Sequence, residues 1–305
     1  MIKRRILPYL LGLLLISLSL VLILKQDKNQ SIIQNINTGK LVISMMITLL
    51  IFLFTGLQIA YMTKKQYQTS LKFEDYFVLP IMMHFWSYLV PFRGGLIFSS
   101  FYLNKKYKLR LSHGFSIGFY TFIISIILAG FYGLYFSIVN KSVGVFFVSI
   151  ALILSPLLIF ILKIALNKVR VRNKFINKFK SFVENIISNI AKFFNQWKTN
   201  FIIIAIILGS ITIYILWFYY ASCALHLQNT FAQIILVALI TRLSVITRII
   251  PGNLGVQELF SGGAMALAGG TLSDGVVISL FIRLSALINC CISRYFRDDR
   301  KSKVF

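Results

Sequence analysis

Apolar runs of about 20 residues, the length needed to cross the hydrocarbon core of a bilayer, recur along this 305-residue chain. Two of the apolar stretches are broken from within by glycine and proline. The stronger break is RIIPGNLGVQELF, Arg248 to Phe260, which holds Pro251, Gly252, Asn253, Gly255 and the acid Glu258. The weaker is VPFRGGLIF, Val90 to Phe98, with Pro91, Arg93, Gly94 and Gly95. Lipid cannot satisfy the N–H and C=O groups that a break sets free, so both segments need protein or a water-filled cavity around them. One Gly/Pro-interrupted apolar segment in each half is the sequence pattern of a transporter's binding site. Pro91 and Pro251 lie 160 residues apart, about half the chain, which fits an internal duplication.

Composition fixes the class. Hydrophobic residues make up 58% of the chain and charged residues only 13%, against about one quarter charged in a soluble domain. The expectation is an all-α polytopic membrane protein. A net charge of +24 points first to nucleic acid, but the distribution of the 32 Lys and Arg argues otherwise. Nine fall in residues 163–200, four in 104–114, three in 63–75, three in the N-terminal tail and five in the C-terminal tail. Connections alternate between cation-rich and cation-poor, the positive-inside pattern, which places both termini in the cytoplasm. The charge then serves anchoring and attraction to anionic lipid, with no nucleic-acid partner. Three cysteines and three histidines show no disulfide or metal spacing, so neither metal nor cofactor is expected.

In chain order, residues 6–24 read as a signal anchor and 41–62 as a span. Residues 76–103 form the first broken segment, re-entrant because both flanks are basic. Spans follow at 115–139 and 143–162, closing a first half of residues 1–162. Residues 163–200 are a basic linker in which Phe175, Phe179, Phe182, Ile186, Ile190, Phe193 and Trp197 recur at steps of three and four. That stripe, with Lys174, Lys178 and Lys192 off it, predicts an amphipathic helix lying in the membrane interface; the alternative is a linker helix packed on its own protein. The second half, 201–292, has spans at 201–221 and 230–247, the broken segment 249–270, and a last helix 275–292 before a cytoplasmic tail, 293–305. The whole reads as one integral membrane domain, a helical bundle with two broken segments and an inverted internal repeat.

Four arginines sit inside apolar sequence, and Glu258 is the only acid there. An unpaired buried carboxylate costs several kcal/mol, so Glu258 needs a partner or a proton, with Arg248 and Arg283 as candidates. Either the pair is architectural, or arginines take a phosphate while Glu258 takes a cationic group or a proton. If half-helices begin after Gly95 and near Asn253, their free N–H groups and positive dipole ends favour an anion, with Asn253 as N-cap. Arg93, Arg248 and Arg283 complete a candidate headgroup site with Pro91, Gly94, Gly95, Pro251, Gly252, Asn253, Gly255 and Glu258.

The element P-G-N-L-G-V-Q-E at 251–258, entered from an arginine-bearing span, and LVPFRGG at 89–95 with its trailing YLNKKYKL, resemble the flippase-like lysylphosphatidylglycerol synthase transmembrane family. The likeness covers nearly the whole chain. It implies a membrane part that moves a lipid between leaflets, in the cytoplasmic membrane of a bacterial-type cell. Only 13 residues follow Ile292, so the soluble synthase domain of bifunctional members is not expected, and lysyl transfer is not carried over. Stand-alone members imply envelope glycan synthesis, with aminoacylated or polyprenyl-phosphate-linked lipids as cargo. Where many relatives place a charge shortly after the first Gly pair, this chain has Leu96 to Ser100.

Three classes of function follow. A lipid translocase is the expected one, with anionic or polyprenyl-phosphate-linked membrane lipids as partners and oligomerisation left open. No P-loop is present, so ATP is not its direct energy source. A non-transporting scaffold for envelope glycan or lipid synthesis enzymes is the alternative. An enzyme is not expected, because eight acids without a cluster offer little for acid–base or metal-assisted chemistry.

Overall fold

A computed structural model describes residues 38–91, 93–139, 143–157, 174–244 and 251–298. All regular structure among them is helical: α1 (Thr38–Tyr67), α2 (Asp75–Leu89), α3 (Gly94–Tyr107), α4 (Leu111–Val139), α5 (Val143–Leu154), α6 (Lys174–Phe194), α7 (Trp197–Ala224), α8 (Phe231–Leu243), α9 (Val256–Leu267) and α10 (Leu272–Asp298), with a 3₁₀ turn at Pro251–Asn253. Within lipid a helix is the one open-ended structure that satisfies its own backbone. Helices α1, α4, α7 and the first part of α10 are long and apolar enough to cross a membrane. The expected first span, 6–24, lies outside the described residues.

The helices follow one plan twice: long helix, hairpin of two short helices, long helix. In the first copy α2 and α3 are joined by a tight turn after Val90, and their outer ends meet. Asp75 in the first turn of α2 accepts hydrogen bonds from Tyr102 (2.5 Å), Tyr107 and Lys106 (2.7 Å), all in α3. In the second copy, Gln233 in the first turn of α8 donates to the carbonyl of Ala268, at the end of α9, at 3.0 Å. The start of α8 is fixed by a reciprocal cap: Thr230 Oγ1 accepts the Gln233 N–H, and Gln233 Oε1 accepts the Thr230 N–H.

The hairpins open to opposite ends of the bundle. Helix α1 runs antiparallel to α7: Lys40 Nζ donates to the Ala224 carbonyl at 2.7 Å, and Gln66 Nε2 to Gln196 Oε1 at 2.6 Å. The first hairpin leaves from the Tyr67 end of that pair and the second from the Ala224 end. Their tips touch, with Gly252 against the Tyr88 ring. Gly252 has φ 64°, and an added Cβ would sit 2.6 Å from Tyr88 Cδ1, so only glycine serves there.

This geometry corrects the span expected at 230–247. Helix α8 has 13 residues, about 20 Å at 1.5 Å per residue, short of the roughly 30 Å core. It is the first arm of the second hairpin, and the break expected at 249–270 belongs to a longer unit that begins at Phe231. The first hairpin, Asp75 to Tyr107, agrees closely with the broken segment expected at 76–103.

Helix α6 packs on its own protein. Ile186, Ile190 and Phe193 are buried in the main core, with Phe182 edge-on to Phe115 and Phe193 edge-on to Tyr120, both from α4. That half of the stripe therefore faces protein, contrary to an interfacial helix lying on lipid. Trp197 opens α7 instead and is 74% exposed. The side chains of Lys174, Phe175 and Phe179 lie outside the described residues.

The Asp75 knot closes the first hairpin at the polar end of the bundle, next to the connections 68–74 and 108–110. Burial opposes the carboxylate's charge, but Lys106 and the two tyrosine hydroxyls outweigh it and hold the carboxyl below the usual carboxylate range. A lowered folded-state value means that this stability is present above about pH 4, the unfolded value, and is lost as pH falls through the folded one. Asp75→Asn is expected to cost about 1.5–3 kcal/mol, the range for hydrogen bonds to a charged group. The check is thermal unfolding in detergent at pH 7 and at steps below pH 4, where the difference between wild type and variant narrows as the pH falls.

Candidate functional site

Where the hairpin tips approach the long helices, they enclose a cavity of about 320 Å³, within the size range of small-ligand pockets. Helices α1, α2, α3, α4, α7, α8 and α10 all contribute to its wall, so both halves build it. Three arginines line it: Arg93 from the first break, Arg242 from the last turn of α8, and Arg283 from the middle of α10.

Arg93 caps α3 in the left-handed region at φ 60°, a conformation that costs a non-glycine residue on the order of 1 kcal/mol or more. Its guanidinium lies over the Phe122 ring at 4.0 Å from the centroid, with Phe119 at 5.6 Å. This cation–π seat holds it against α4 at the cavity wall. The tight turn needs Gly95 as well, because a Cβ would lie 2.2 Å from the Met83 carbonyl oxygen. The half-helix end is less open than the sequence suggests: the Gly95 N–H donates to Ser87 Oγ at 3.2 Å. Pro91 and Gly94 shape the turn, Gly94 packing on Val90 and Trp86.

In the second break, Asn253 is not the N-cap. Its side-chain amide donates to the carbonyl and the hydroxyl of Ser244, both at 2.9 Å, tying the break back to the end of α8. Gly255, at φ 77°, caps α9. Its N–H donates to Glu258 Oε2 at 2.8 Å, so Glu258 fills the helix end that an anionic ligand would otherwise use. The other carboxylate oxygen, Oε1, forms an ion pair at 3.0 Å with Arg283 Nε, though without hydrogen-bond alignment. Arg283 Nη2 also donates to the Asn253 carbonyl and to Gln257 Oε1, both at 3.2 Å. One arginine thus gathers Asn253, Gln257 and Glu258, and pins the break to α10.

The pair sets the roles apart. Glu258 is fully buried and is not part of the cavity wall, whereas Arg283, 6% exposed, is. Arg283 Nη1 is buried without a partner among the described residues, as is the hydroxyl of Thr241, also in the wall. Gly252, Asn253 and Gly255 form the break's backbone rather than the wall, and the side chain of Pro251 lies outside the described residues. Arg248 lies outside the described residues.

Arg242 is the residue that sequence reasoning passed over. Its Nη2 lies 3.4 Å from Ser210 Oγ, and its guanidinium sits 5.4 Å from the centroid of the Tyr214 ring. The signal was present, since Arg242 stands in apolar sequence just as Arg283 does. It was masked by reading 230–247 as an ordinary span with its arginine near the end.

Beyond the site, comparison with known proteins gives one match. A family model described as the lysylphosphatidylglycerol synthase TM region matches residues 9–292, most of the chain. No curated protein and no solved structure matches it. The arginine-bearing breaks and the all-helical bundle built around them are therefore those of a member of the lysylphosphatidylglycerol synthase transmembrane-region family, to which this chain belongs.

Proposed function

We propose that the protein moves a phosphate-bearing lipid between the leaflets of its membrane, holding the headgroup in the cavity between the two hairpins. The supporting observation is that three arginines, Arg93, Arg242 and Arg283, line one cavity inside an apolar bundle. Cations in apolar surroundings are costly, and a site that gathers several suits an anion. Guanidinium groups match phosphate oxygens in a bidentate fork. Membership of a lipid-related membrane family agrees with this reading.

Two hairpins that enter from opposite ends and meet tip to tip fit an inverted repeat, whose halves rock about a fixed midplane site. The lipid's chains would stay in the bilayer while the headgroup crosses. Glu258 belongs to the frame in this mechanism: its carboxylate is engaged by Gly255 and Arg283 and it does not line the cavity.

The test is reconstitution of the full chain in vesicles with a fluorescent phosphatidylglycerol, following the fraction quenched by an impermeant reductant. Wild type is expected to expose inner-leaflet lipid well above empty vesicles. Arg242→Gln should slow this about tenfold or more, as loss of a charge-assisted hydrogen bond implies, with unfolding temperature unchanged. Wild-type protein that is folded yet no faster than empty vesicles would end the translocase reading in favour of a scaffold.

A further inference from the structure

The cavity's chemistry narrows the headgroup, on the reading that the cavity is a headgroup site. Five of the chain's acids have described side chains: Glu74, Asp75, Glu184, Glu258 and Asp274. None of them lines the cavity, while three arginines do. Beside apolar walls, charges of one sign act on any occupant with less screening than in bulk water. An ammonium-bearing headgroup would meet three cations and no carboxylate.

Hydroxyls make up most of the rest of the polar wall, beside Gln58, His84, Trp217 and Gln257. Thr48 and Thr55 of α1, Ser99 of α3, and Thr121 and Ser125 of α4 all line the cavity. Each of these five donates its proton to a carbonyl of its own helix, three or four residues back. A hydroxyl whose proton is spent still has lone pairs to offer. The wall therefore presents donors at the arginines and acceptors at the helix hydroxyls. Phosphate oxygens suit the first, and the O–H groups of a polyol or sugar suit the second. Among the buried polar atoms without a hydrogen-bond partner in the described residues, Arg283 Nη1 and Thr241 Oγ1 belong to residues of this wall.

We infer that the cargo headgroup is a phosphate ester carrying an uncharged, hydroxyl-rich group, and that the site rejects headgroups bearing ammonium charge. Glycerol on a phosphodiester and a sugar on a prenyl phosphate share this chemistry. An aminoacyl ester of the first does not, because it adds cations.

The experiment measures binding to the full chain in phosphatidylcholine nanodiscs by calorimetry. Four short-chain probes are used: dihexanoyl phosphatidylglycerol, its lysyl ester, dihexanoyl phosphatidic acid, and a citronellyl-phosphate glucose. Phosphatidylglycerol or the prenyl-phosphate sugar should bind at least about tenfold more tightly than the lysyl ester and the phosphatidic acid, and the tighter of the two names the source. Arg242→Gln should weaken that binding about tenfold. A lysyl ester that binds as tightly as phosphatidylglycerol overturns the charge selection. Phosphatidic acid that binds as tightly overturns the hydroxyl part. Binding of every probe no tighter than to Arg242→Gln overturns the inference outright. Failure of the transport reading looks different: the selectivity appears but no lipid moves in vesicles. Conversely, a lysyl ester that binds best and is moved leaves transport standing and removes this inference.

Discussion

Glu258→Gln should destabilise the protein by about 3–5 kcal/mol, the usual consequence of removing one partner from a buried ion pair. Glutamine keeps the shape and can still accept the Gly255 N–H, so the helix cap survives. What it cannot supply is the charge opposite Arg283, which is 6% exposed and holds Asn253 and Gln257 as well. A drop in the midpoint of thermal unfolding on the order of 10 °C is expected. Adding Arg283→Met to Glu258→Gln should recover part of that loss, because a pair replaced by apolar groups is often near neutral. The cycle of four proteins isolates the coupling. An unchanged unfolding temperature in Glu258→Gln would show that the pair does not pin the break, and would return Glu258 to the cargo or to proton coupling.

Gly56→Ala is expected to disrupt the frame of the first hairpin. Helices α1 and α2 cross with their backbones in contact, and a Cβ on Gly56 would lie 1.8 Å from the Tyr76 carbonyl oxygen and 2.7 Å from its Cα. The obstructing atoms are backbone and cannot rotate away, so α2 must shift. Overpacking of this kind costs typically 1–3 kcal/mol, and a rigid backbone contact belongs at the upper end. Both helices line the cavity, with Thr55, Gln58 and Ile59 on one and Pro80 and Met83 on the other. Lipid movement in vesicles should therefore fall along with unfolding temperature. Gly263→Ala is the matched control. It lies within α9 with no atom within 4 Å of a new Cβ, and alanine's higher helix propensity should leave stability equal or slightly raised. Equal behaviour of the two variants would contradict the α1–α2 crossing.

The sequence alone established the solvent, the two breaks and the buried charges. These follow from local chemistry: an apolar run must be a helix in lipid, and proline with glycine must interrupt it. An arginine or glutamate in such a run must find a partner wherever it lands. Only the tertiary structure decided which partner. Arg283 reaches Glu258 from 25 residues away in sequence, Asn253 turns back to Ser244, and Arg242 joins Arg93 in one cavity. Tertiary packing also turned 231–243 into a hairpin arm and buried Ile186, Ile190 and Phe193 against protein. The reason is general to membranes: lipid tails are as apolar as leucine, so a protein-facing side and a lipid-facing side look alike in sequence. Hydropathy therefore shows that a helix is immersed, while the pairing of its few polar groups, which fixes its neighbours and its orientation, is settled only when the helices pack.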